Sequence, residues 1–214
     1  MSTVRKWSNV AIAMQSALAA ADIITSITKA NPGVATSVAH GMNNGDYVLL
    51  SIQGMHQLND RVARIANKTV DTFELEGIDT TLFDTFSSGT SEALTFGTSI
   101  TSATSVSASG GGFDFIDTTT IHSNAKTQIP GLPAAATFSF ENIWDVADAG
   151  LLAMKTASDA QAKRAFKFTF GTGGQIMVFA GYVGANLLPG GSAQGLVTTS
   201  TVITMNGTPS YLAS

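Results

Sequence analysis

The 214-residue chain predicts a mainly β protein: an antiparallel β-sandwich or barrel with one flanking α-helix, plus a small inserted all-β module. Three observations predict it. From Gly112 to Ser214, short Thr/Val/Phe-rich runs at strand length are punctuated by Gly and Pro. Within that half only Ile143–Lys155 carries helical spacing, with Trp144, Ala147, Leu151 and Met154 three or four residues apart. Between residues 27 and 90, further strand-length runs recur with turn chemistry between them.

Composition narrows the class. Hydrophobic residues make up 44% of the chain, enough for a real core, while charged residues make up only 12%, about half the usual share. A surface so poor in charge has two explanations of equal weight: other copies of the chain cover it, or Ser and Thr coat it. The net charge of −4 leaves no footprint for counterion-release binding to DNA or RNA. There is no cysteine, which removes disulfides, thiolate nucleophiles and Cys-ligated zinc together.

Residues 1–26 are expected to form an N-terminal arm and first strand, anchored by Trp7 and Val10. The run Val10–Ala21 has the outline of a signal peptide, but Ser8, Asn9, Gln15 and Ser16 break its apolar core and it is too short to span a membrane. Residues 27–90 form the inserted module. A hairpin opens it, with Asn31-Pro32-Gly33 as a turn in which Pro presets one torsion and Gly supplies positive φ. Tyr47–Ile52, Arg61–Ala66 and Thr72–Glu76 then read as strands, and the module carries 7 of the 15 acids. Residues 87–112 predict a strand returning to the main sheet and ending at a Gly110-Gly111-Gly112 hinge.

The sandwich occupies residues 91–214. Its five candidate strands are Phe113–Thr119, Ala136–Glu141, Phe166–Phe170, Ile176–Val183 and Val197–Met205, read as one antiparallel system. The helix is expected near 144–157, with Asp145 at its start and Trp144 and Leu151 facing the sheet. Gly171-Thr172-Gly173-Gly174 reads as the hairpin turn between the third and fourth of these strands.

Chemistry is sparse. That glycine-rich turn lacks a Lys and leads into a strand, so no helix N-terminus is available for a phosphate. His40, His56 and His122 lie too far apart for a metal motif, and His40 reads as a turn residue. Asp114 with Asp117, or Asp145 with Asp148, could in principle make acid–base pairs, and solvation or capping explains them better than catalysis. No catalytic, cofactor-binding or metal residue is assigned.

Two resemblances follow from particular residues. His40-Gly41, Gly45-Asp46, Leu58-Asn59 and Thr72-Phe73-Glu74-Leu75 resemble a β module of phage structural proteins that is similar to the first catalytic cysteine half-domain of ubiquitin-activating enzymes. Without a cysteine, no thioester chemistry is implied. Over residues 112–209 the chain resembles the major tail tube protein of long-tailed bacteriophages, through Gly112–Thr119, Ile129-Pro130-Gly131-Leu132-Pro133 with Thr137–Phe140, and Val202–Pro209.

The resemblance to tail tube proteins implies a structural virion protein of the phage tail, assembled in the host bacterial cytoplasm. It implies six-membered rings stacked into a hollow tube that conducts the genome. Its partners would be further copies, tape-measure, tail terminator and baseplate or distal tail proteins, with double-stranded DNA passing through without tight binding and with no membrane. Trp7, Val10, Phe113, Phe115, Ile129, Pro130 and Leu132 are the expected assembly residues. Two alternatives stand beside this reading: a carbohydrate- or receptor-binding β module, for which two Trp and three Tyr are few, and a capsid decoration or tail-completion protein.

Overall fold

The computed structural model describes residue 7, residues 9–171 and residues 174–213. Fourteen strands and one α-helix follow one another in these residues. The first half contains β1 (Val10–Ile24), β2 (Ser26–Ile27), β3 (Val34–Thr36), β4 (Tyr47–Gln53), β5 (Val62–Ala66), β6 (Thr72–Leu75), β7 (Ser88–Ile100) and β8 (Ala103–Ser109). The second contains β9 (Phe113–Asp117), β10 (Gln128–Pro133), β11 (Thr137–Ile143), α1 (Ala149–Asp159), β12 (Lys163–Phe170), β13 (Ile176–Ala185) and β14 (Thr198–Leu212). Twelve strands form one curled antiparallel sheet in the order β2-β3-β6-β5-β4-β7-β1-β12-β13-β14-β11-β8. The fold is therefore mainly β with one helix, as the alternation of its apolar residues predicts.

Three apolar clusters explain the curl. The largest lies between β12, β13, β14, β11, the first half of β1 and the helix, and its centre is five phenylalanines: Phe138, Phe140, Phe166, Phe168 and Phe179. Their ring centroids stand 5.2–6.1 Å apart in stacked and edge-on pairs, the separations aromatic quadrupoles favour. A second cluster fills the β2–β6 region with Phe73, Leu50, Leu58, Ile65 and Leu75. A third joins the two, packing Leu49, Val62 and Leu94 against Ala165, Val178 and Leu212. In β12 the alternation is direct: Phe166 and Phe168 enter the first cluster while Ala165 enters the third.

Polar groups clasp the same junction. Asp60 accepts from Lys163 Nζ and from Asn206 Nδ2, the latter at 2.8 Å. Arg61 Nε donates to Ser210 Oγ at 2.9 Å, and that hydroxyl donates on to the Val62 carbonyl at 2.6 Å. Arg64 bonds both carboxylate oxygens of Glu76, at 2.6 and 2.5 Å, and the Ala213 carbonyl at 2.7 Å. Burial lowers the Arg61 pKa, whereas the hydrogen bond from Arg64 holds the Glu76 carboxyl below its ordinary range. Gly207, at φ +74°, passes so close to this clasp that a Cβ there would meet the Asp60 carbonyl at 2.9 Å.

Several expectations are corrected. Most of residues 1–26 belongs to the expected first strand rather than to an arm: β1 runs from Val10, pairing with β12 over Val10–Met14 and with β7 from Ile12 onward. Its apolar alternation, with Ile12 and Met14 buried, places it in the core. The stretch 87–112 holds two strands, because β7 ends at Ile100 and β8 begins on the far edge of the sheet. The phenylalanine run at 113–117 does not join the main sheet; β9 pairs only with β10 in a separate two-stranded sheet.

The helix starts later than its stripe suggests. Asp148, not Asp145, is the N-cap, accepting from Leu151 N at 2.7 Å, and Trp144 lies outside the helix with its indole N–H donated to the Leu187 carbonyl at 2.9 Å. Leu151 and Met154 of the expected stripe are buried, with Ala157 one turn on, and Gly150 allows close approach, since a Cβ there would stand 2.7 Å from the Ser99 carbonyl. The Asn31–Pro32 peptide is cis, and Gly33 serves a need for space rather than positive φ, because a side chain would strike Thr80 at 2.6 Å. β12 and β13 are antiparallel neighbours as predicted, while Thr172 and Gly173 of their connecting turn lie outside the described residues.

Candidate assembly surfaces

The residues singled out for assembly fall on two separate surfaces. Phe113, Phe115, Ile129, Pro130 and Leu132 share the β9–β10 hairpin, which leaves the sheet after Ser109 and rejoins it before Thr137. Its alternation would normally bury one face, yet no residue of the pair is buried. Phe115 is 61% exposed and Leu132 85% exposed. Ile116 and Ile121, which the sequence reading did not single out, are equally uncovered, Ile121 at 96%. The alternation was the available signal for Ile116, which opposes Ile129 in the register.

Local chemistry keeps the hairpin ordered without a core. At its root Gly110 and Gly111 take φ +86° and +78°, and Gly111 N and the Ala134 carbonyl close the stem at 3.1 Å. Between Pro130 and Pro133 the register shifts, and Gly131 sits where any Cβ would meet the Asp114 carbonyl at 2.7 Å. At the tip Thr118 N donates to the Thr127 carbonyl at 2.9 Å, and Asp117 accepts from Thr119 N at 2.8 Å. The Thr119 hydroxyl and amide hold the Asp117 carboxyl below its usual range. Pro130 and Pro133 remove donors from β10, so β9 keeps the more complete outer edge.

Trp7 and Val10 stand elsewhere, at the seam where the curled sheet stops short of closing. Trp7 is 53% exposed, its ring 5.8 Å from Phe170. Beside it a groove of about 360 Å³ separates the starts of β1 and β8; Val10, Ile12, Ile100, Ala103 and Val106 line it. β8 is the last strand of the sheet, and its free edge carries no charge and no proline, the usual protections against pairing with another chain. A second unprotected edge is the exposed run Ser16–Ala21 of β1, beyond Met14, where β12 no longer pairs.

Asp145, Asp148 and His40 have structural occupations. Asp145 accepts from Ala147 N at 2.8 Å and Asp148 caps the helix. His40 Nδ1 accepts from Met42 N at 3.1 Å in a turn, with its ring edge-on to Phe73. Among the described residues no three His, Asp or Glu side chains gather as a metal site, and no helix is long and apolar enough to cross a membrane.

Open strand edges and uncovered apolar side chains are the features of a protein that works by association. The family of phage tail tube proteins matches residues 53–214, about three quarters of the chain, and the chain belongs to that family. It is a structural, non-enzymatic component of the virion tail that takes part in a multimeric tube. No curated protein matches the sequence.

Proposed function

We propose that the chain assembles into six-membered rings that stack as the tail tube and conduct the genome during ejection. The observation that carries this reading is the β9–β10 hairpin, an ordered pair of strands whose large apolar side chains are all outside any core. An isolated two-stranded hairpin is marginal in water, so one that exposes Phe113, Phe115, Ile129 and Leu132 is built to be covered by another molecule. A head-to-tail contact that closes by rotation gives a ring, and a second contact between rings gives a filament.

The open sheet face at β8, β11 and β14 suits a wall along which DNA slides. Ser107, Ser139, Ser200 and Thr204 stand on it with Val202 and Ile143, and Glu141 is the only charge on these three strands. Hydroxyls with one carboxylate offer phosphates no ion pair, so duplex DNA passes without tight binding. Tape-measure, terminator and baseplate or distal tail proteins are the expected neighbours at the ends of the tube, with assembly in the host cytoplasm. The 27–90 segment acts as an inserted module of the phage β type, supported by its own apolar cluster and by His40 in the expected turn.

Electron microscopy of the purified protein across a concentration series tests the reading. Hollow tubes of stacked rings with six-fold end views are the expected result. Discrete trimers or single rings at every concentration would favour a decoration or completion role instead.

A further inference from the structure

The two surfaces described above are complementary, although they lie apart in the subunit. One is a strand pair with uncovered apolar side chains; the other is a gap in the sheet that opens onto the phenylalanine core. We infer that the β9–β10 hairpin of one copy seats in the Trp7–β8 seam of the next, with β9 lying along the free edge of β8. This rests on the tube reading and names the receiving surface for its contact.

Three features carry the inference. First, β8 is the end of the sheet and its outward N–H and C=O groups have no strand partner among the described residues, while β9 keeps the outer edge that the prolines deny to β10. Second, Val10, Ala103 and Val106 are only partly buried although they pack on the main core, so a neighbour's Phe or Leu side chain would complete that core. Third, the plug is long enough: the hairpin between Ser109 and Thr137 offers about 25 residues, within the roughly 20–30 that one side of a stable interface uses. A second copy is the donor, because within one subunit the hairpin is uncovered, no residue of β9 or β10 being buried, and so does not fill its own seam. The contact is heterologous, plug on one side and socket on the other, and so propagates from copy to copy.

The cysteine-free chain makes a direct test available. Full-length Leu132→Cys and Ser105→Cys proteins, both altered at exposed positions, are mixed, assembled and mildly oxidised. The mixed 132–105 disulfide is expected to exceed either same-site disulfide by about tenfold, since a seated contact raises the effective concentration of one thiol at the other. A Ser88→Cys protein, altered at the far end of β7 from the seam, should give no such excess with Leu132→Cys. Same-site or statistical pairing would overturn the docking. Tubes that form without the mixed disulfide would overturn the docking and leave the tube standing, whereas the mixed disulfide in discrete rings or dimers would uphold the docking and overturn the stacked tube.

Discussion

Phe113-Asp114-Phe115 in β9 and Phe166-Lys167-Phe168 in β12 are almost the same local message, an aromatic at every second position with a charge between. Their fates are opposite. Phe166 and Phe168 are fully buried among three other rings, while Phe113 and Phe115 are more than half exposed. A period of two specifies that one face of a strand is to be buried, but not in which molecule the burial takes place. In β12 the cover is β13 and the rest of the same sheet; in β9 the only strand partner is β10, itself uncovered.

This contrast can be broken at its foundation by deleting residues 1–20. The deletion removes most of β1, the strand between β7 and β12, and the subunit is expected to lose its folded state altogether, read as loss of the cooperative thermal transition. A truncated protein that melts like the full chain would show that β1 is dispensable and that the N-terminus acts as an arm after all.

The comparison itself is sharpened by a matched pair. Phe168→Ala should cost the monomer about 3–5 kcal/mol, as truncation of a buried ring does, and lower its urea midpoint accordingly. Phe115→Ala should change monomer stability by no more than about 0.5 kcal/mol while raising the concentration needed for assembly. Equal costs in the monomer would mean that the hairpin is covered within the subunit.

Smaller effects probe the clasp between the first half of the chain and β14. Asp60→Ala leaves Lys163 and Asn206 without their shared acceptor, and a loss of about 1–2 kcal/mol is expected from groups that retain some solvent. The Arg64–Glu76 pair contributes less, under about 1 kcal/mol, because a third of the Glu76 side chain meets water. Its pH dependence has a definite sign. The Glu76 carboxyl is lowered from 4.5, so its contribution is whole above that pH and is lost as pH falls through the lowered value. Glu76→Gln should flatten that acid limb of a denaturation series and leave stability at pH 7 little changed.

Much of this was legible in the chain. The runs at Tyr47–Ile52, Thr72–Glu76, Phe166–Phe170 and Ile176–Val183 are strands because β-branched and aromatic residues alternate there between turn formers. The helix was legible from Leu151 and Met154, but its start was not, since Asp145 and Asp148 are both plausible caps and only the reach of Trp144 to the Leu187 carbonyl selects the second. Phe113, Phe115, Ile129 and Leu132, which the sequence singled out, are exposed in the structure, whereas the role of Ala103–Val106 as a groove wall was not legible. Ser, Thr and Ala carry no signal of being beside a gap.

By itself the sequence determined the local terms: strand periodicity, the glycine hinge at 110–112, the low charge and the lack of cysteine. These depend on neighbours a few residues away, and short-range sterics and hydrophobic alternation specify them. The tertiary structure alone decided that β1 lies inside the sheet, that β8 ends it, and that the Phe113 hairpin stands outside. Those outcomes depend on pairings between residues as far apart as Ile12 and Phe168, where the same alternating strand fits several partners and only the closure of the whole sheet chooses among them.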